Sequence, residues 1–399
     1  MTEHPTPSSR PRNARWLVVS KASVKLGDLL CDAKTTVPWL MLSAGAPAGM
    51  VGLLVPIRES LSMLPQVFIA PWVQAVEPRK RMAIAALLVQ AVAALAIALL
   101  SFTLHGVAAG VGVVAALSLL SLGRAFASLA NKDVLARAVP KGGRGQVTGR
   151  ATSIAGMVGL GGASASLLAT RPESVGILVL VVGAAGVTFG FAALALVRVT
   201  ETEAPAKTKE RASLRGALAD PRLRRFVLVR TLLAASALGG PFIVSLGRDG
   251  ASTLQTLAAF VLAGGAASFV AAGRWGHFAD RSSRGCMAAG GAVAAAAAFG
   301  VLALQTLAPN TTAWAWAGLY FVFSIGYVGV RVGRKTYIID LAHGDARTQF
   351  VASSNTLVAL ALLAMGAGLA LLPSAVTAIS VCTVLTVLGA LGCLALART

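Results

Sequence analysis

The chain has 399 residues, of which 56% are hydrophobic and only 13% charged, and its formal net charge is +20. Water-soluble domains carry about 25% charged residues, so an ordinary soluble enzyme is excluded and the bilayer is the expected solvent. The basic residues lie in short segments between apolar runs, where they orient a membrane chain; no nucleic-acid partner is expected.

Residues 1–25 are polar and rich in Pro, Ser and Arg. The apolar run Trp16 to Val19 is too short for a signal-peptide core, so this segment is expected to be an uncleaved, mobile cytoplasmic tail. A spanning helix needs about 20 apolar residues. Twelve such stretches follow: 26–46, 49–76, 82–104, 107–130, 151–169 and 174–197, then 226–247, 252–274, 286–307, 312–332, 350–371 and 374–397. Between the sixth and seventh lies the longest internal polar run, 198–225, expected to be a cytoplasmic linker between two six-helix bundles, 26–197 and 226–399. With the N-terminus inside, 30 of the 35 Lys and Arg residues fall on the cytoplasmic side and only Arg171 and Arg248 on the other. That bias predicts an integral protein of the plasma (inner) membrane with both termini in the cytoplasm.

Ionisable side chains within a bilayer are expensive and commonly functional. The first half holds six: Asp28, Asp32, Lys34, Arg58, Glu59 and Arg124. Asp28, Asp32, Thr35 and Trp39 recur at helical spacing and are expected to share one face of helix one. Pro38 disrupts that helix and frees the carbonyl of Lys34. In helix two, Pro56 and Pro65 bracket Arg58, Glu59, Ser62 and Gln66. Counting about 1.5 Å per residue places Lys34 and Arg58 near mid-depth.

Two readings of these charges stand. They are permanent ion pairs joining helices, or some of them carry protons. Burial favours a neutral carboxylic acid and a nearby cation favours its charged form, so a cation that comes and goes loads and releases a proton. Asp32, with Arg124 or Lys34 as partner, is the leading coupling candidate, followed by Glu59 and Asp28. The second half has no comparable cluster, with Arg230 read as lying near the inner face. It offers aromatic and amide groups instead. Trp314 to Tyr320 suit an interfacial belt, while Phe323, Tyr327 and Asn355, with Trp39 and Gln66 from the first half, are candidates for lining a substrate cavity. Gly and Ala in the fifth, eighth and ninth spans predict close helix packing.

The halves are related. KDVLARAVPKGGRGQV (132–147) aligns with KTYIIDLAHGDARTQF (335–350), each after the fourth span of its half, and PWVQAVEPRKR (71–81) with GHFADRSSRGC (276–286), each after the second. Two pairs at nearly one offset argue for a duplicated six-helix unit. The second loop carries Gly276, Asp280, Arg281 and Arg284, and the first keeps Arg79, Lys80 and Arg81.

In these loops the chain resembles the major facilitator superfamily, whose pattern between the second and third helices of a half is G-x-x-x-D-x-x-G-R-[KR]-[KR]. Arg124, in LSLGRAFAS, resembles the helix-four Arg of proton-coupled exporters of that superfamily. The resemblance implies twelve helices in two pseudo-symmetric bundles that rock about a midplane cavity. It also implies that the residues at 79–81 and 276–284 gate the cytoplasmic side.

Cys31, Cys286, Cys382 and Cys393 form no CxxC and lie in apolar segments, where they read as small buried hydrophobes. His4, His105, His277 and His343 show no metal spacing, and no phosphate-binding GxxxxGK[ST] occurs. No metal, cofactor or enzymatic activity is expected. The expected function is proton-coupled export of a small amphipathic compound by a monomer whose partners are its solute, protons and the lipid bilayer. A facilitator or importer with structural ion pairs, and a non-transporting membrane sensor on the same scaffold, are the alternatives.

Overall fold

The computed structural model describes residues 9–65, 68–69, 78–139, 144–167, 175–201, 220–250, 254–308, 311–341 and 346–396. Among them the regular structure is helical, without strands. Thirteen α-helices follow in chain order: α1 Ser9–Leu30, α2 Thr36–Ser43, α3 Val51–Met63, α4 Arg79–Thr103, α5 Gly106–Ala138, α6 Arg144–Leu167, α7 Val175–Val197, α8 Pro221–Gly250, α9 Leu254–Arg281, α10 Ser283–Leu307, α11 Ala313–Leu341, α12 Ala346–Ala370 and α13 Ala375–Gly392. Most of the linker, 202–219, and the cavity candidate Gln66 lie outside the described residues, as do 71–77 of the first gating loop.

Nine helices among the described residues are long and apolar enough to cross a membrane. They match nine of the twelve expected spans. The other three are broken or run beyond the described residues. The first span is broken, the second is described as a helix only to Met63 before residues 66–67 and 70–77 fall outside, and the fifth runs into residues 168–174, which also fall outside. On α4, Leu88, Val92, Leu95, Leu99 and Phe102 form an exposed stripe at helical spacing, whereas Gln90 and Ser101 are buried. In water such a stripe would be polar; here its apolar side chains suit hydrocarbon.

Helix one departs from expectation in two ways. The helix starts at Ser9, not near residue 26, so residues 9–25 are not a mobile tail. Polar anchors hold them. Asn13 donates to the Thr200 carbonyl at 2.9 Å and accepts from the Thr200 backbone N–H at 3.1 Å, and Ser20 donates to Ala192 O at 2.9 Å. The helix then breaks over residues 31–35. Pro38 is the cause: a proline four residues on removes the bond to the Lys34 carbonyl and clashes with it. Restarting at Thr36 places Pro38 in a first turn, where its missing N–H is harmless.

The chain packs as two compact units. One takes in the described residues of 1–32, 61–162 and 174–211, the other those of 33–60, 163–173 and 212–399. In the first, α4 packs on α5 and α7, and α1 lies along α7. In the second, α11 packs on α10 and α9, and α8 on α13. The α10–α11 crossing is backbone on backbone. A Cβ at Gly326 would lie 2.4 Å from the Ala294 nitrogen, and one at Gly290 would lie 2.6 Å from the Val330 nitrogen. The expected close packing therefore holds for the ninth span. It fails for most glycines of the fifth: at Gly156, Gly161 and Gly162 an added Cβ would meet nothing within 4 Å.

Candidate functional site

In the first unit, Arg124 on α5 forms a salt bridge with Asp28 near the end of α1, through Nη1 and Oδ1. Their side chains are 40% and 22% exposed, so the pair is partly covered but not sealed. The sequence favoured Asp32 for this partnership. Asp32 lies beyond the end of α1 at Leu30, on irregular backbone. The stripe Asp28, Asp32, Thr35 and Trp39 is therefore not one helix face.

The first gating triplet is tied to its own unit. Arg79 is 2% exposed, and its Nε lies 3.9 Å from Asp133 Oδ2. Lys80 donates its backbone N–H to Glu201 at 2.9 Å and its ammonium to Val199 O at 2.9 Å. Glu201 also pairs with Arg137 at 3.4 Å. Arg81 is exposed. The triplet thus fastens the start of α4 to the end of α5 and to the chain leaving α7.

The second gating loop is built differently. Asp280 and Arg281 end α9 exposed, and Gly276 is partly buried with no atom where a Cβ would stand. Ser282 caps α10 by accepting from the Gly285 N–H at 3.1 Å. Arg284 donates to Leu396 O at 3.0 Å.

The second unit gathers most of the remaining candidates. The break in helix one leaves Lys34 with its ammonium 3.5 Å from the centroid of the Tyr327 ring on α11. Arg331, one turn further along, lies 5.9 Å from the same ring. Trp39 is fully buried, with the Arg248 guanidinium 5.8 Å from its ring; Arg248 also donates to Ser43 Oγ at 3.2 Å. On α3, Arg58 is buried and Glu59 half-buried, and the next residue, Ser60, donates to Ala359 O of α12 at 2.7 Å. The α3–α12 approach needs Gly366, whose Cβ would collide with the Pro56 ring at 2.1 Å.

Asn355 on α12 is joined by a residue that sequence reasoning passed over. Arg230 of α8 donates to Ser354 Oγ at 2.8 Å and to Asn355 Oδ1 at 2.9 Å. It is 7% exposed. Its position ten residues into a helix with an apolar continuation was the available signal; proximity to the inner end of the span concealed it. Phe323, expected to line a cavity, is a core residue. It stacks on Tyr320, which meets Phe260 edge-on at 5.3 Å, and it borders a small gap lined by Gly239, Ala294, Cys382 and Thr383.

Exposed apolar helix faces, with ion pairs held inside the first unit, suit a chain whose solvent is the bilayer. The sequence matches the Major Facilitator Superfamily over residues 33–366. The chain belongs to that superfamily and is an integral membrane transporter, not an enzyme. No curated protein matches it. Solved structures share the fold at low identity. A POT family transporter, PepTSo, is 12% identical with a TM-score of 0.72, covering 96% of this chain and 97% of that one. A D-xylose–proton symporter is 11% identical with a TM-score of 0.70 over 96% and 97%. A bacterial homologue of the iron transporter ferroportin, in its inward-facing state, is 16% identical with a TM-score of 0.68 over 96% and 98%.

Proposed function

We propose that the chain is a secondary active transporter that works by alternating access and exports a small amphipathic compound in exchange for protons. The observation that carries the coupling is the Asp28–Arg124 pair. It joins two helices of one unit and is partly accessible. A carboxylate whose cationic partner comes and goes is the kind of group that can tie proton movement to a conformational step. Asp32 and Glu59 remain the next candidates. The expected protein is a monomer in the plasma (inner) membrane with both termini cytoplasmic, a topology supported by the Lys and Arg bias. The loop residues Asp280, Arg281 and Arg284 are proposed to bias one state of the cycle.

The test uses reconstituted protein. Asp28→Asn should abolish uphill, proton-driven accumulation while preserving downhill exchange of solute. Uphill transport at the parent rate in Asp28→Asn would remove this pair from the coupling step and move attention to Asp32 and Glu59.

A further inference from the structure

The second unit brings several basic side chains together around Glu59. Arg230, Arg334 and Glu59 are within electrostatic range of one another, as are Lys34, Arg331 and Arg334 with Tyr327 and Glu59, and Lys335 with the same turn of α11. Five cations thus share a neighbourhood with Glu59. Asp220 and Asp280 stand at the ends of α8 and α9, and Asp249 and Asp340 lie on α8 and α11.

Arg230 is the buried member. Its two terminal nitrogens are held by neutral oxygens, Ser354 Oγ and Asn355 Oδ1. Its third donor, Nε, is buried without a hydrogen-bond partner. One turn towards the start of α8, Phe226 is fully buried and stacks on Tyr337 at 5.1 Å, so an apolar layer lies on that side. A guanidinium in low dielectric needs an opposing charge, because hydroxyl and amide oxygens orient it without neutralising it. Orientation of cytoplasmic loops explains exposed Arg and Lys; it does not explain an Arg that is 93% covered and pinned in place by two polar side chains. A fixed guanidinium with a spare donor is a group that recognises the oxygens of carboxylates and phosphates.

We infer that Arg230, positioned by Ser354 and Asn355, binds an oxyanion of the transported solute, a carboxylate or phosphate, and that Lys34 on Tyr327 with the Arg331–Lys335 turn forms its electropositive approach. This assignment rests on the transporter reading for the fate of the anion, not for its binding. Joined to the amphipathic compound proposed above, it makes the solute an organic anion with an apolar body, for which Tyr327 offers an aromatic surface.

Binding is measured on the full chain in phosphatidylcholine nanodiscs, by thermal unfolding at constant ionic strength. The probes are inorganic phosphate, succinate and phenyl phosphate, against neutral succinamide and phenol. The anions should raise the unfolding temperature, phenyl phosphate most, and the neutral probes should not. Arg230→Gln should weaken anion binding by about tenfold or more, and Arg230→Lys less, since it keeps the charge and loses the fork. If Arg230→Gln does not fold, Asn355→Asp decides the matter. Its carboxylate gives Arg230 an internal partner, so the protein should fold and lose the anion response.

An equal response in Asn355→Asp and the parent overturns the assignment. So does the absence of any anion response in the parent, or stabilisation by phosphatidylglycerol nanodiscs alone, which would make the ligand a lipid headgroup. Flux assays on the same protein separate the two claims. Anion binding without flux supports the site and removes the transport reading. Flux of a neutral solute unaffected by Asn355→Asp leaves transport standing and overturns the anion.

Discussion

Lys34 and Tyr327 lie almost three hundred residues apart in the chain, yet the ammonium rests 3.5 Å from the ring centroid. A desolvated cation–π contact is worth about 2 kcal/mol and an exposed one about 0.5–1 kcal/mol. Lys34→Met and Tyr327→Leu should therefore show a coupling energy of about 0.5–2 kcal/mol in a double-mutant cycle on stability. Strict additivity would mean that the ring gives the ammonium no net support. Individual charged residues were legible because any ionisable group in an apolar stretch stands out. Their partners were not. That Arg124 meets Asp28 depended on where α1 ends, which the sequence did not show. Arg230 was visible but discounted, because depth counted along one helix says nothing about the polar side chains of α12 that meet it.

At the scale of elements, the apolar spans were readable because about 20 residues of hydrocarbon-compatible sequence is a strong physical requirement. Nine of them stand as long apolar helices among the described residues. Small residues were a poorer guide. Gly290 and Gly326 sit where two backbones touch, while Gly156, Gly161 and Gly162 border open space. Composition alone cannot distinguish a contact face from a free one. The α10–α11 crossing gives the sharper prediction. Gly326→Val puts three carbons where a single Cβ already lies 2.4 Å from the Ala294 backbone, and should destabilise the protein by about 3 kcal/mol or prevent folding. Gly161→Ala, at an open position of α6, should be nearly silent in the same thermal-unfolding assay. Comparable losses at both sites would contradict the crossing. The start of α1 escaped notice for the opposite reason. Its sequence is too polar to read as a span, and its order comes from Asn13 and Ser20 bonding to backbone on and just beyond α7, 172 to 187 residues away.

For the whole molecule, sequence halves and packing units differ, most of all in one long segment. Residues 33–60 follow a break in helix one and pack with α8–α13, although they precede the linker. Hydrophobic periodicity reports that a helix is buried or faces lipid, and it does not report which helices it joins. The duplicated loops remain evidence for two repeats, and the Lys and Arg bias remains the argument for topology. That topology is testable with two exposed histidines. His105 lies between α4 and α5 and His277 near the end of α9, and both are exposed. The four native cysteines are buried and should give little background labelling. In intact cells an impermeant maleimide should label His105→Cys and spare His277→Cys until the membrane is opened. Labelling of both from outside would contradict inward termini.

Coupling of solute movement to protons is the central claim, and an internal pH dye in proteoliposomes measures it directly. With organic anions and their neutral analogues screened in turn, a solute gradient should drive proton movement in the parent protein and not in Asp28→Asn, which should still exchange solute. Solute flux in the parent without any change in internal pH would make the protein a facilitator whose Asp28–Arg124 pair is structural, and would contradict the account.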